Sequence, residues 1–385
     1  MSKTDKSKTA AWVTLLAAAT VIFVVVFQQM PPAAQAKLVA GETENLAVDP
    51  ALIAQPTSTF IKDGPLVAAA LDKAYSRNVQ VQLQHFLTIK REDIKLALSE
   101  STRYIQHIIP ILDRYELPVE LAYLVIIESG YNNTARSYAG AVGMWQIIRA
   151  TSSRFGIRTD SWVDERLDFE KSTEGAARFL KYLYERFEDW ELVLAAYNAG
   201  EGRVRKAISR AKKRGVDPVF KNLRLPRQTR IYVPAFYAGL LIAMEPERYG
   251  IFPDYKPKED FFRITAPGGV SIPSLAREIG CSQESIYELN PSILSKRVPP
   301  SRDGYSIRIP CILEPEKVSQ ALVSLKEVKW IKYTVKKGDT LWEISRKFGV
   351  RAGSIDRIKS GHSPSTIFPG ELLMIPLLPK AASRI

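Results

Sequence analysis

The chain has 385 residues, of which 46% are hydrophobic and 25% are charged. This composition is that of a globular protein of two or three domains, and it excludes a disordered or collagen-like chain. The net charge of +13 favours an anionic partner or surface. Two cysteines and three widely spaced histidines are too few for a Cys/His metal cluster or a disulfide-stapled miniprotein. Chemistry carried by carboxylates, hydroxyls or backbone groups is therefore expected.

Residues 1–36 are predicted to be an export segment. Lys3, Lys6 and Lys8 precede an uncharged, mostly apolar run over residues 10–27. Such a run is either the core of a signal peptide, with a cleavage site at Ala34-Gln35-Ala36, or just long enough to remain as a membrane anchor. Both outcomes stay open. In either case the protein is predicted to work in the cell envelope or periplasm, so its basic charge is not interpreted as nucleic-acid binding.

The remaining chain changes composition twice. Residues 37–92 are interpreted as a linker and an N-terminal helical extension, whereas residues 93–250 have helical periodicity almost throughout. Beyond residue 250, proline and glycine divide the chain into shorter elements. The fold class predicted is a mainly α domain followed by small α+β modules.

An internal repeat defines those modules. An offset of 69 residues places Gly269 on Gly338 and Gly280 on Gly349, and each copy ends in Ile-Pro, at Ile309 and Ile375. The repeat predicts two strand–helix–helix–strand (βααβ) modules, at residues 258–312 and 331–377. Modules of this size have room for a binding surface but rarely for a buried catalytic site.

One carboxylate is predicted on an apolar helix face. Leu121, Leu124 and Val125 are spaced as one face of a helix, and Glu128 takes the next position on that face. Burial disfavours the charged form of a carboxylate, and a carboxyl that stays protonated near neutral pH can serve as a general acid. Ser129-Gly130-Tyr131 then indicates the helix end. A lone glutamate there would more often only reach towards solvent, so Glu128 needs further support.

Two further clusters supply that support. Gly140–Gln146 combines glycines with a thioether, an indole and an amide, although core packing is the favoured interpretation for Trp145. Ala195–Gly200 ends a helix with a phenol and an amide. Aromatic rings stack on sugar faces while amides bind hydroxyl and acetamido groups, so these clusters favour a carbohydrate-binding groove.

Three ordered motifs resemble a known family. Glu128–Tyr131, Gly143–Gln146 and Ala196–Gly200 are similar to the soluble-lytic-transglycosylase catalytic domain, and Leu225–Thr229 with Tyr232–Pro234 continues the similarity. Within the family, Trp145 together with Asp164–Arg166 and Ser172-Thr173 looks most like the membrane-bound lytic murein transglycosylase D branch. The resemblance implies a mainly α, lysozyme-like fold for residues 93–250. The C-terminal copy of the repeat, with Tyr333–Val335 and Gly338–Trp342, resembles a lysin-motif (LysM) module, and residues 258–312 look like a degenerate copy.

The resemblance also implies a reaction without metal or organic cofactor. Glu128 would act as the single acid and base that cleaves the MurNAc-β-1,4-GlcNAc bond of peptidoglycan and forms a 1,6-anhydroMurNAc end, in cell-wall turnover and remodelling. Ser129 and Tyr197 would orient Glu128 or the acetamido group. Met144, Gln146 and Asn198 would line the groove, and Tyr232 is also assigned to substrate binding. The implied partners are peptidoglycan glycan strands, together with a membrane if the N-terminal segment is retained.

Two alternatives remain open at this stage. A goose-lysozyme-like muramidase would need a second carboxylate to activate water. Asp164 and Asp168 are the nearest in sequence, although Asp164 is expected to cap the following helix. A non-catalytic wall-binding scaffold would need neither carboxylate.

Two other features are noted without a fixed role. Residues 203–230 hold eleven Lys/Arg and one acid, Asp217, and are either a solvated surface or a site for anionic peptides or lipid head groups. Cys281 and Cys311, both in the first repeat, form either a disulfide or two free thiols.

Overall fold

The computed structural model describes residues 64–301, 303–311, 313–325, 329–352, 355–357 and 366–377. The predicted export segment and the first part of the linker lie outside the described residues. Within the described residues, no helix combines the length and apolar character needed to cross a membrane.

The first part of the described chain is a helical body, which agrees with the mainly α prediction. Short 3₁₀ turns connect several helices. The α-helices are α1 (Pro65–Lys73), α2 (Arg77–Thr88), α3 (Arg91–Arg114), α4 (Leu124–Ser129), α5 (Arg149–Arg154), α6 (Phe169–Phe187), α7 (Trp190–Ala199), α8 (Glu201–Lys213) and α9 (Arg227–Met244).

Helix α9 lies at the centre of this body. Every residue from Tyr232 to Met244 is buried. A helix that is apolar on all sides is stable only when other elements surround it. Helices α1, α2, α4 and α7 pack against it. Helix α9 therefore holds the short α4, which carries Glu128, against the core.

The N-terminal extension is part of the same body. The carboxylate of Glu120, only 1% exposed, accepts hydrogen bonds from the backbone N–H groups of Leu66 (3.1 Å) and Val67 (3.4 Å). An anion is favoured at this position because the N-terminus of a helix carries a partial positive charge. Residues 65–92 therefore share the core of the helical body, whereas the prediction began that body at residue 93.

The first module has the predicted βααβ order. Strands β1 (Phe261–Ala266) and β2 (Tyr305–Pro310) form an antiparallel pair, and α10 (Ile272–Ile279) and α11 (Gln283–Leu289) lie between them in sequence. Apolar residues of both helices and both strands form a core of the module's own. Helix α12 (Pro315–Ser324) follows β2 and packs against α10.

The described part of the second module repeats this pattern. Strand β3 (Lys329–Thr334) pairs with β5 (Leu372–Leu377), which also pairs with β4 (Asp356–Arg357). Helix α13 (Leu341–Phe348) follows β3. Gly280 and Gly349, which the repeat aligned, both adopt left-handed φ values (78° and 63°) and end α10 and α13. The 69-residue offset thus marks equivalent helix ends.

Candidate active site

Glu128 lies at the last turn of α4. The helix ends at Gly130, whose φ of 60° is left-handed, and Tyr131 also has a positive φ of 61°. The Tyr131 hydroxyl donates to the carbonyl of Ala122 at 2.8 Å, which fixes this turn against the preceding segment. The predicted helix end is therefore confirmed, although residues 119–123 form a 3₁₀ turn before α4 begins.

The environment of Glu128 favours its protonated form. The hydroxyl of Tyr232, on α9, donates a hydrogen bond to Oε1 of Glu128. Burial raises the pKa of Glu128 to about 7, and the hydrogen bond from Tyr232 opposes this change only in part. The described residues place no Lys, Arg or His in ion-pair contact with this carboxylate. Near neutral pH, Glu128 can therefore either donate or accept a proton.

The loop of residues 140–147 lies against this helix end. The Ser129 hydroxyl donates to the carbonyl of Met144 at 2.8 Å, and the Tyr197 hydroxyl donates to the carbonyl of Trp145 at 2.8 Å. The Trp145 indole is fully buried and donates to Thr173 Oγ1 at 2.7 Å, which confirms its interpretation as a core residue. These contacts hold the loop from three helices, α4, α6 and α7.

The loop passes very close to the turn before α6. A Cβ atom at Gly143 would lie 1.7 Å from the carbonyl oxygen of Arg166, and Gly143 has a φ of 80°. Only glycine fits there. The Arg166 guanidinium donates to the carbonyls of Gly140 and Ile147, each at 3.1 Å, so it ties the two ends of the loop together. The sequence motifs gave no indication of this role for Arg166.

Two amides complete the set of predicted residues. Gln146 has a φ of 47°, and its Nε2 donates to the carbonyl of Gly143 at 2.8 Å. Asn198, at the end of α7, accepts a hydrogen bond from Thr229 Oγ1 at 3.0 Å. Both side chains are partly exposed. Each is thus held by the protein while retaining hydrogen-bonding capacity for a ligand.

A groove of about 1570 Å³ opens at Glu128. Its lining includes Glu128, Ser129 and Tyr232 among the predicted site residues. Gln146, Tyr197 and Asn198 are not part of this lining. Met144 is not part of it either, and its side chain is completely buried. Its thioether therefore lies in the core and not on the groove surface, contrary to the prediction, and the residue presents only its backbone carbonyl to Ser129.

Asp164, one candidate for a second catalytic carboxylate, is already engaged in hydrogen bonds. Its two oxygens accept hydrogen bonds from Nε and Nη2 of Arg166, each at 2.8 Å. It also accepts from the backbone N–H of Arg166 and so caps the 3₁₀ turn Glu165–Leu167, in line with the capping prediction.

Asp168, the other candidate, is also engaged in hydrogen bonds. It caps α6 by accepting from the N–H groups of Glu170 (3.1 Å) and Lys171 (3.0 Å). Arg308, on β2 of the first module, donates to both of its oxygens at 2.7 and 3.0 Å. Burial alone would raise the pKa of Asp168, but the Arg308 guanidinium, together with the backbone N–H and the charge of Lys171, lowers it. The carboxylate therefore stays charged and paired.

Three further predictions concern other parts of the chain. All eleven Lys/Arg side chains of residues 203–230 are exposed. Cys281 and Cys311 are two free thiols in the structure and do not form a disulfide with each other. Within the part of the chain that the structure describes, no group of three or more His, Cys, Asp or Glu side chains is arranged to hold a metal ion.

Comparison with known proteins identifies two domains. Residues 108–220 match the Transglycosylase SLT domain, which contains Glu128 and the residues around it. Residues 333–376 match the LysM domain and correspond to the second module. The resemblance drawn from the motifs is thereby confirmed. That the first module is a degenerate LysM module stays a prediction.

Relatives cover different parts of the chain. Membrane-bound lytic murein transglycosylase D of Escherichia coli strain K12 is 31% identical over 278 residues, which are 67% of this chain and 60% of the relative. A putative tributyltin chloride resistance protein of Alteromonas sp. strain M-1 is 39% identical over 119 residues, 31% of this chain and 58% of the relative. The chain thus spans less than two thirds of the length of these relatives. The 70 kDa soluble lytic transglycosylase of Escherichia coli matches with a TM-score of 0.34 and 20% identity, over 66% of this chain and 47% of that structure.

Proposed function

We propose that this chain, which carries a Transglycosylase SLT domain and a LysM domain, is a lytic transglycosylase of peptidoglycan. The reaction is cleavage of the MurNAc-β-1,4-GlcNAc bond with formation of a 1,6-anhydroMurNAc end. The observation that carries the proposal is Glu128. It lies in the groove with a pKa raised to about 7, it is bonded to Tyr232, and no second carboxylate of the sequence-predicted set is free beside it.

The chemistry follows from a single carboxyl that can both give and take a proton. Protonated Glu128 donates its proton to the glycosidic oxygen, which leaves with GlcNAc as the bond to the MurNAc anomeric carbon breaks. The substrate's own 2-acetamido group stabilises the cationic carbon. The Glu128 carboxylate then removes the proton from the MurNAc 6-hydroxyl, whose oxygen closes the anhydro ring and leaves Glu128 protonated again.

The neighbouring residues are proposed to position these groups. Tyr232 fixes the rotamer of Glu128 through its hydrogen bond to Oε1. Ser129 and Tyr197 act on the substrate indirectly, because each donates to the backbone of the loop at Met144 or Trp145. Gln146 and Asn198 remain proposed contacts for sugar hydroxyl or acetamido groups.

The hydrolase alternative is disfavoured by the state of the two aspartates. A muramidase that activates water needs a carboxylate free to accept its proton. Asp164 is engaged by Arg166, and Asp168 by Arg308 and two backbone N–H groups. The scaffold alternative is disfavoured because Glu128 retains an environment suited to proton transfer.

The proposed setting is the cell envelope. The LysM domain is proposed to bind peptidoglycan glycan strands, and the relatives named above include a membrane-bound lytic murein transglycosylase. Residues 1–36 would export the protein and, if they are not cleaved, anchor it to the membrane. A role in cell-wall turnover and remodelling follows from the reaction.

Products released from purified sacculi test the proposal. The wild-type protein should release muropeptides one water lighter than the reducing product, and Glu128→Gln should release far less of them. Reducing-end products would establish a hydrolase and overturn the proposal. Binding without release by the wild type would establish the scaffold.

A further inference from the structure

The eleven exposed Lys/Arg side chains of residues 203–230 form a basic face on the helical body. Asp217 is the only acid in this stretch, so its net charge of +10 is most of the +13 of the whole chain. The stretch comprises most of α8, a loop with the 3₁₀ turn Phe220–Asn222, and the first turn of α9. The charge of the protein is therefore concentrated in one continuous segment.

The three parts of this segment form one outer layer over α7. Helix α8 packs against α7 with its apolar side. The buried residues on that side are Val204, Ala207 and Ala211. The 3₁₀ turn Phe220–Asn222 also packs on α7, and Thr229 of α9 bonds to Asn198 at the end of α7. Because the inner side of the layer is apolar, its cations project outward.

The cations of the basic face do not serve the protein's own ion pairs. On α8, Arg205, Lys206 and Arg210 form no ion pair with any described residue. By contrast, Lys181, elsewhere on the surface, pairs with Glu116 at 2.7 Å. Like charges four positions apart on a helix, such as Lys206 and Arg210, repel each other and weaken it. An anion outside the protein would relieve this repulsion.

The shape of the basic face favours an extended anionic surface over a discrete anionic ligand. Discrete ligands bind in concave sites that bury most of their surface. All eleven cations are exposed, and none of them lines the groove at Glu128 or a smaller cavity of about 400 Å³ at Arg308. A layer of lipid head groups needs no cavity, because cations that come near its surface are attracted one by one.

The chain also enters the helical body close to this face. Helix α1 follows the residues that lie outside the structure, and it ends at Lys73, which pairs with Glu191 of α7 at 3.4 Å. Burial raises the pKa of Glu191, and the charges of Lys73 and of Lys221, in the basic face, both oppose that rise. A helix of nine residues is about 14 Å long. If the predicted export segment is retained, it would therefore hold the basic face near the membrane.

We infer that the basic face docks the helical body on an anionic phospholipid surface, where its Lys and Arg side chains contact head-group phosphates. The inference goes beyond the cleavage reaction and does not depend on it. Gln228 and Ile231, which line the groove, are neighbours in sequence of Arg227 and Arg230. Docking would therefore place one edge of the groove beside the membrane, so that Glu128 acts on the glycan strands nearest to the lipid.

Four lysines of the basic face are reporters of docking, because contact with lipid slows the acetylation of their amines. They are Lys206, Lys212, Lys213 and Lys221. Full-length protein would be bound to vesicles of phosphatidylcholine, or of phosphatidylcholine mixed with phosphatidylglycerol, and acetylation of each lysine measured by mass spectrometry. The apolar run of residues 10–27 is present in both samples and does not contribute to their difference. Lys336 and Lys337, exposed on the second module, are the internal reference.

Vesicles with phosphatidylglycerol should slow acetylation of the four reporters, and vesicles of phosphatidylcholine alone should not. High salt should remove the protection, because it screens exposed charges. The double substitution Arg205→Gln and Arg210→Gln should lower the docking constant, read from this protection at low salt, about fivefold for each arginine removed. Arg114→Gln with Arg277→Gln removes the same charge at exposed arginines outside the face. This matched control should keep the protection of the wild type.

Equal acetylation in the two kinds of vesicle would overturn the inference, as would protection that high salt leaves in place. Peptide-bearing glycan fragments, at a matched concentration of negative charge, should protect the reporters less than the anionic vesicles do. Equal or stronger protection by the fragments would assign the basic face to stem peptides and exclude the lipid. The proposed function is judged separately, by anhydro products from sacculi. Release of those products without lipid protection would remove the docking surface and leave the transglycosylase in place.

Discussion

Glu128 and Asp168 are both carboxyl groups of the helical body whose pKa burial acts to raise, yet the two pKa values are shifted in opposite directions. Glu128, at the C-terminal end of α4, has one neutral hydroxyl as its partner, and burial raises its pKa to about 7. Burial would also raise the pKa of Asp168, at the N-terminus of α6, yet Arg308 together with the backbone N–H and the charge of Lys171 lowers it.

The difference shows that the groups in contact with a carboxylate, more than its burial, decide whether it stays charged. A buried anion next to a guanidinium and the N-terminus of a helix remains charged and serves to hold structure together. A buried carboxyl near a helix C-terminus, without a cation, is easily protonated and can transfer its proton. Changing the partners of each group should therefore test its role.

Replacing Glu128 should give the largest effect. For Glu128→Gln we expect cleavage to fall by about 10²–10⁴-fold, the usual contribution of general acid–base catalysis. Stability should not fall, because the variant removes a buried carboxyl that has no cation. Anhydro-product release and denaturant unfolding would measure the two effects. Glu116→Gln, at an exposed carboxylate paired with Lys181, is the matched control. Unchanged cleavage in Glu128→Gln would remove Glu128 from catalysis.

Replacing Arg308 should have a large effect on stability. Met374, also followed by an Ile-Pro, is the equivalent residue of the second module, so Arg308→Met gives the first module the side chain of the second. Asp168 would then be buried without its arginine, whereas Glu170 keeps its pair with Arg263. We expect a loss of about 3–5 kcal/mol in the free energy of unfolding, which comes from Asp168. Denaturant unfolding would measure it beside Arg277→Met, an exposed arginine in the same module. An equal change in the free energy of unfolding of the two variants would contradict a structural role for Arg308.

The two carboxyl groups should also give opposite dependence of stability on pH. The folded protein keeps Glu128 protonated up to about pH 7, whereas the unfolded chain releases that proton near 4.5. The stability this group contributes is therefore full below pH 4.5 and is lost as pH rises to 7, by up to about 3 kcal/mol. Asp168, with its lowered pKa, contributes stability above its unfolded value of 3.8 and loses it in acid.

Unfolding free energies of wild type and Glu128→Gln, measured from pH 4 to 8, would separate these contributions. The difference between the two proteins should grow in favour of the variant as pH rises from 4.5 to 7. A constant difference over this range would show that the pKa of Glu128 is not raised by folding.

Removing the hydroxyl beside Glu128 should give the smallest effect of the set. Because the hydrogen bond from Tyr232 lowers the pKa of Glu128, Tyr232→Phe should raise that pKa further and shift the alkaline limb of the pH–rate profile upward. The loss of a hydrogen bond to a charged group should also slow cleavage about tenfold. Tyr237→Phe, at a buried tyrosine on the same helix, should leave the profile in place. A downward shift in Tyr232→Phe would contradict the assigned hydrogen bond.

Local pattern was sufficient for much of the site. Helical spacing placed Glu128 on a buried face, and Gly130 correctly indicated the end of its helix. The repeat located both modules, because strand and helix boundaries depend on residues that are close in sequence. Met144 shows the limit, since its side chain lies in the core. A motif indicates that a residue is near a site but does not show which way its side chain points.

The sequence by itself determined the mainly helical body, the two small modules, the candidate acid and the resemblance that names its chemistry. These depend on periodicity, turn residues and short motifs, all of which act over a few positions. Only the tertiary structure decided which carboxylate is protonated and which is paired. Tyr232 reaches Glu128 across 104 positions, and Arg308 reaches Asp168 across 140. Electrostatic environment is a property of what surrounds a group in space, and no local pattern in the chain contains it.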